Sequence, residues 1–137
     1  MAKTFLLEIV TPEQVLLSRP VESLVVPAAE GYLGILAGHA PLLCVLQPGE
    51  ITIRDEKGTS HYCTSGGFLE ATPAKVNVLT ESAEPIEKID LPRAEEARER
   101  ALKRIGSGEP EVDRERARAA LARADARIRL AKKRGGA

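Results

Sequence analysis

The chain changes character near Ile86. Before that point it consists of short runs rich in β-branched residues, broken repeatedly by Pro and Gly. From Leu91 onward it is Ala, Arg, Glu and Lys with almost no β-branched residues. The first pattern favours strands and the second favours helix. One sequence carrying both in separate blocks reads as two modules, residues 1–86 and 87–137. Charge follows the same division. Residues 1–90 hold 6 basic and 12 acidic side chains, a net of −6, and residues 91–137 hold 14 and 8, a net of +6. The formal neutrality of the whole chain thus conceals two modules with opposite fields.

The first module reads as an antiparallel β-sandwich or barrel. Phe5 to Val10 is a β-rich run stopped at Thr11-Pro12, and Gln14 to Arg19 and Val21 to Val26 follow. Pro12, Pro20 and Pro27 mark strand ends. Leu42 to Leu46 ends at the turn Gln47-Pro48-Gly49. Ile51 to Ile53 alternates, Asp55-Glu56-Lys57-Gly58 is a hairpin tip, and His61 to Thr64 returns. Ser65-Gly66-Gly67 signals a bend or bulge before Phe68 to Ala71, and Thr72-Pro73-Ala74 turns the chain into Lys75 to Thr80. The core is aliphatic, since the chain holds only two Phe, two Tyr and no Trp.

The second module reads as an antiparallel helical hairpin. Asp90 caps a helix from Leu91 to about Ile105, with Pro92 tolerated in its first turn. Gly106-Ser107-Gly108-Glu109-Pro110 breaks it, and a second helix runs from about residue 112 or 113 to about 133. At 100° per residue, Ala117, Ala120, Leu121, Ala124, Ile128 and Ala131 form one thin apolar stripe. Arg116, Arg123, Arg127 and Arg134 project together beside it, and Arg93, Arg100 and Arg104 line up similarly on the first helix. Alanine-rich helices bury little area, so the hairpin is weakly held, on the order of a few kcal/mol.

The stretch Glu30 to Leu43 holds Gly31, Gly34 and Gly38, then His39 and Pro41. It reads as a tightly folded connection between strands. No Lys-Ser/Thr follows the glycines, so it is not a phosphate-cradling loop, and the strand, helix and acid of a dinucleotide fingerprint are missing. His39 reads as a loop histidine bonded to backbone or partner, with no ligand-spaced companion. Cys44 and Cys63 show no metal spacing and read as reduced thiols. Ser65 lacks the strand-to-helix context of a nucleophile elbow. No apolar run approaches the roughly 18–20 residues of a membrane span, and Met1 to Val10 does not read as a signal peptide.

Three patches carry a resemblance. They are Glu30-Gly31-Tyr32-Leu33-Gly34-Ile35 with Gly38-His39-Ala40-Pro41-Leu42-Leu43, then Ser65 to Glu70 with Val76 to Leu79, then Ile89 to Ala97. In this order, on a β module followed by a helical hairpin, they resemble the epsilon-subunit family of the F-type, proton-translocating ATP synthases of bacteria and chloroplasts. The resemblance implies a ten-stranded β-sandwich and a two-helix hairpin. It implies a noncatalytic rotor subunit of the central stalk, peripheral at the cytoplasmic face of the plasma membrane. The sandwich is implied to grip the gamma subunit and rest on the c-ring. The hairpin is implied to alternate between a folded state and an extended one that reaches the alpha and beta subunits and blocks ATP hydrolysis.

Residue by residue, the resemblance places Glu30, Gly31, Tyr32, His39 and Pro41 at the c-ring or gamma contact, with Gly31, Gly34 and Gly38 as requirements of shape. It makes Arg116, Arg123, Arg127 and Arg134 the inhibitory row, suited to acidic receptors. It reads Ile89-Asp90-Leu91-Pro92-Arg93-Ala94 as the ATP-binding motif of some members. Regulatory ATP is then expected against Arg93, Arg100, Arg123 and Arg127 for its phosphates and Glu84, Ile89 and Asp90 for its base and sugar. No cofactor or metal is required. The rival reading is a nucleic-acid-binding β domain with a basic helical tail. An acidic sandwich nearly devoid of stacking aromatics opposes it.

Overall fold

The computed structural model describes residues 3–135. The chain divides between Pro85 and Ile86 into two compact units.

The N-terminal unit holds ten strands: β1 (Phe5–Val10), β2 (Val15–Val21), β3 (Ser23–Ala28), β4 (Gly31–Leu36), β5 (Leu42–Leu46), β6 (Gly49–Asp55), β7 (Gly58–Thr64), β8 (Gly67–Thr72), β9 (Lys75–Thr80) and β10 (Ala83–Pro85). They form two five-stranded layers. One runs β4-β3-β6-β7-β10 and the other β5-β8-β9-β1-β2. Among the described residues the layers share one ladder contact, the pair Ala28–Leu46, where the end of β3 meets β5. On the far side Arg19 of β2 reaches across to Asp55 of β6, Nε to Oδ2 3.0 Å. The layers therefore close on each other as a sandwich, and the inward residues of both fill one core.

Alternation decides which residues those are. In β1 Phe5, Leu7 and Ile9 are buried while Leu6, Glu8 and Val10 are half-buried. Leu24, Val26, Ile35, Ile51 and Ile53 face them from the opposite layer. Turn chemistry fixes the registers. Asp55 accepts from the Lys57 amide (2.8 Å) at the β6–β7 tip, and the Thr72 hydroxyl donates to the Lys75 carbonyl (3.2 Å) at the β8–β9 turn. Local Asx and Thr bonds of this kind replace missing ladder bonds where the chain reverses.

Two features depart from the sequence expectation. Most of the pairing is antiparallel, but β1 pairs with β9 in parallel, Leu6 opposite Lys75 through Val10 opposite Leu79. The stretch from Glu30 to Leu43 is not one connection. Its first half is β4, paired with β3 from Ser23–Leu36 to Ala28–Gly31. Gly34, expected as a requirement of shape, has no positive φ, and open space surrounds the position its Cβ would take.

Glu8 braces the parallel pair. Its carboxylate accepts from the Lys75 ammonium (2.6 Å) and from the Ser18 hydroxyl (3.0 Å). The Lys75 bond first, and the Ser18 bond second, hold Glu8 below its usual range. A carboxyl depressed by folding contributes stability above its unfolded pKa and loses it as pH falls through the lower folded value. Glu8→Gln is therefore expected to flatten the loss of thermal midpoint on acidification from about pH 5 to about pH 3. A wild-type slope retained in the variant refutes that role.

The C-terminal unit opens with a single 3-10 turn, Ile86–Lys88, followed by α1 (Leu91–Ile105) and α2 (Arg114–Gly135). Asp90 caps α1 by accepting from the Arg93 amide (3.1 Å), and Asp113 caps α2 by accepting from Arg116 (3.0 Å). The Gly106 amide donates back to the Leu102 carbonyl (3.0 Å), closing α1. The helices pack through Ala94 and Ala101 on α1 and Ala117 and Ala124 on α2, all buried. α2 also lies against the 3-10 turn, whose Ile86 is buried.

Candidate functional site

Two surfaces carry functional character, one on each unit. On the sandwich it is a row of apolar side chains on the outer face of the β5-β8-β9-β1-β2 layer. Val45 pairs with Phe68, Phe68 with Leu79, Leu79 with Val10 and Val10 with Val15. Five strands thus place one apolar residue each in a single registered line. Val45 and Phe68 are both 53% exposed, Val15 55% and Leu79 48%. Isolated exposed apolar residues need no explanation, but a contiguous line of them marks a surface that something covers. The neighbouring outward line is mostly polar, with Glu70, Asn77, Glu8 and Ser18 in register beyond Leu43. The row therefore has a defined border.

None of these five residues was singled out from the sequence as a contact. A signal existed in Leu42 to Leu46, which is apolar at every position instead of alternating. A strand of that kind has both faces covered in the assembled protein.

The expected contact residues fall elsewhere and do not form one cluster. Glu30 is in the two-residue turn between β3 and β4, and Gly31 and Tyr32 begin β4. Gly31 has φ +129°. Tyr32 is 60% exposed, with its hydroxyl near Gly49. His39 and Pro41 lie beyond the other end of β4, about 17 Å further along at strand rise. The picture of one shaped loop at one end of the sandwich is thereby corrected: a strand separates its two halves.

His39 is anchored within the unit. Its backbone amide donates to the Leu36 carbonyl (3.2 Å), closing a four-residue turn with Gly38 third at φ +84°. That geometry is a type II turn, which requires positive φ at its third residue. The His39 ring then meets two carbonyls, Nδ1 with Leu36 O at 2.9 Å and Nε2 with Thr72 O. Carbonyls only accept, so each contact is a hydrogen bond when that nitrogen carries its hydrogen, and both are in the doubly protonated ring. The ring also packs edge-on against buried Phe5, centroids 5.3 Å apart at 80°.

On the helical unit the candidate nucleotide residues are divided. Glu84 lies on β10 opposite Cys63, in the N-terminal unit, while the other six lie in the C-terminal unit. The Asp90 carboxylate is engaged by the α1 cap. Arg93 and Arg100 are exposed, and Ile89 is half-buried. The single apolar stripe expected for α2 is incomplete, because Ala126 and Leu130, roughly opposite Ala117, are also buried. Arg123 and Arg127 lie between the two buried faces and are half-buried, whereas Arg116 is exposed. The Arg134 side chain falls outside the described residues.

The helix pair has two unlike flanks. Arg98 of α1 pairs with Asp125 of α2, Nε to Oδ1 2.9 Å. By helical projection, the rows Arg93, Arg100, Arg104 and Arg116, Arg123, Arg127 share the opposite flank.

No group of His, Cys, Asp and Glu among the described residues is arranged to hold a metal ion. Among the described residues neither Cys44 nor Cys63 is in a disulfide, and burial pushes the Cys44 thiol up, which suppresses its thiolate. No described helix is long and apolar enough to cross a membrane.

Comparison with known proteins agrees with this architecture. Residues 4–86 match the family model of the ATP synthase delta/epsilon chain β-sandwich domain, and residues 87–132 match that of its long α-helix domain. The ATP synthase epsilon chain of Moorella thermoacetica is 47% identical over 126 residues, covering 91% of this chain and 94% of that one. The epsilon chain of Nitratidesulfovibrio vulgaris is 44% identical over 130 residues, covering 95% and 97%. A chain in a cryo-EM structure of the Euglena gracilis mitochondrial ATP synthase, OSCP/F1/c-ring, superposes with a TM-score of 0.77 at 29% identity, covering 89% of this chain and 78% of that one. Nothing in these matches favours the nucleic-acid reading. The two-layer sandwich, the capped helix pair and two consecutive family matches spanning nearly the whole chain show that it belongs to the ATP synthase delta/epsilon chain family.

Proposed function

We propose that this chain is a noncatalytic central-stalk subunit of an ATP synthase, peripheral at the cytoplasmic face of the membrane. In this reading the sandwich docks on the gamma subunit and the c-ring and helps transmit rotation. The observation that carries it is the registered apolar row from Val45 to Val15, a flat surface of the kind one long partner covers. The connection at His39 and Pro41 is the c-ring end of the same unit, and the turn at Glu30, at the opposite end of β4, contacts gamma.

The helical unit regulates. Its seam is mostly alanine and the ion pair between Arg98 and Asp125 is exposed, so the hairpin stands close in energy to alternatives, and a modest ligand term shifts the balance. Extended, its arginine rows engage acidic surfaces of the alpha and beta subunits and restrain hydrolysis. ATP held by Arg93, Arg100, Arg123 and Arg127, with Ile89 and Asp90 on the base and sugar side, favours the folded form.

The test is ATP hydrolysis by the assembled complex carrying either the full chain or a chain ending at residue 90. The shortened chain is expected to assemble and to raise hydrolysis severalfold. Assembly without any rise places inhibition outside the hairpin. Titration of the full chain with Mg-ATP, repeated with Arg93→Ala, examines the nucleotide part. No heat from the unmodified chain at millimolar ATP removes that part and leaves the stalk role intact.

A further inference from the structure

The connection between β4 and β5, residues 37–41, is short of backbone support. Among the described residues its one backbone bond outside the ladders is the turn bond from the His39 amide to Leu36 O. Pro41 has no N–H to offer. Yet the connection carries apolar side chains to the surface on both sides, with Leu36 65% and Leu43 71% exposed. Something other than backbone pairing must hold this segment in one shape.

The His39 ring meets that need. Its Nδ1 lies 2.9 Å from Leu36 O and its Nε2 lies against Thr72 O, which belongs to the β8–β9 turn; whichever nitrogen carries a hydrogen donates, and both do in the doubly protonated ring. The second bond links strands from the two different layers at the same end of the sandwich. Phe5, buried in the core, backs the ring on its third side. A side chain with both polar atoms committed to its own chain and one edge on a core phenyl has little left to offer a partner.

We infer that His39 is a positioning residue. It latches the β4–β5 connection to the β8–β9 turn, and so fixes how Leu36 and Leu43 are presented, without itself being the contact. The inference rests on the stalk-contact role proposed above for this end of the sandwich.

The test uses His39→Ala and His39→Gln in the full chain and in the assembled synthase. Hydrogen exchange of the amides of residues 36–40, 42, 72, 74 and 75 is expected to rise about tenfold or more in His39→Ala, as the ring's hold on the two carbonyls is lost. Glutamine keeps one amide donor, so His39→Gln is expected to fall between. Proton pumping per ATP hydrolysed is expected to follow the same order, with docking on gamma unchanged. Unchanged exchange in His39→Ala overturns the latch. So does a His39→Gln chain with exchange restored but pumping as poor as His39→Ala, because the ring is then a direct contact. Raised exchange with pumping intact leaves the latch standing and sinks the contact role of this end of the sandwich.

Discussion

Gly67→Ala is expected to collapse the N-terminal unit. Gly67 opens β8 at φ +148°, a conformation that residues with a side chain rarely adopt. A Cβ built there lies 2.0 Å from the Leu79 carbonyl oxygen and 3.0 Å from Thr80 Cα. Both obstacles are backbone of β9, so no rotamer change relieves them. Gly67 is opposite Thr80 and also opposite Leu46, so moving it disturbs ladders on both sides. The adjoining corner holds a buried hydroxyl network, with Thr80 Oγ1 donating to Gly66 O (2.7 Å) and Thr64 Oγ1 at 2.8 Å from Thr80 Oγ1. Strain and lost network bonds together cost about 3–5 kcal/mol, a large share of a small domain's stability. The thermal midpoint of the sandwich in the full chain is expected to drop by about 15 °C or more. Gly34→Ala, in open space, is the control and is expected to stay within about 2 °C. A Gly67→Ala midpoint equal to that of the control refutes the steric account.

Phe68→Asp is expected to weaken docking on gamma sharply while leaving the fold intact. Phe68 stands mid-row between Val45 and Leu79 and points away from the core. A carboxylate there costs the free chain little, about 0.5 kcal/mol or less, since surface changes of this kind rarely cost more. In the complex it would be buried against an apolar partner without a counter-charge. Central aromatic anchors lose about 2 kcal/mol or more on truncation, so affinity for gamma is expected to fall by about 30-fold or more. Leu36→Asp, 65% exposed at the wild-type position but off the row, is expected to leave gamma binding unchanged. If Leu36→Asp weakens gamma binding and Phe68→Asp does not, the row is not the docking surface.

Local chemistry made much of this fold readable. Asp90 and Asp113 announce their helices because capping depends on neighbours three residues away. Phe5 to Val10 and Lys75 to Thr80 announce strands by composition. β4 was hidden because Gly31 and Gly34 depress strand propensity, and six cross-strand pairs with β3 outweigh that local preference. The docking row was hidden for a different reason. Residues 10, 15, 45, 68 and 79 become neighbours only through register, which leaves no local trace. The buried second face of α2 was masked by size, since Ala126 adds little hydrophobic signal on the helix projection. The His39 latch lay between these cases: a loop histidine bonded to backbone was expected, but its second carbonyl, Thr72, is 33 positions away.

The parallel pair of β1 with β9 bears on how the chain is made. Strand β1 leaves the ribosome first, but its partner from Lys75 to Leu79 is synthesised only after most of the sandwich. The β1–β2 hairpin must wait, with one backbone edge of β1 unpaired, until β9 arrives to complete the layer. Closing so long a loop slows folding. That interval, before any helix has been made, is when a nascent chain of this design is most exposed to aggregation and most in need of a chaperone.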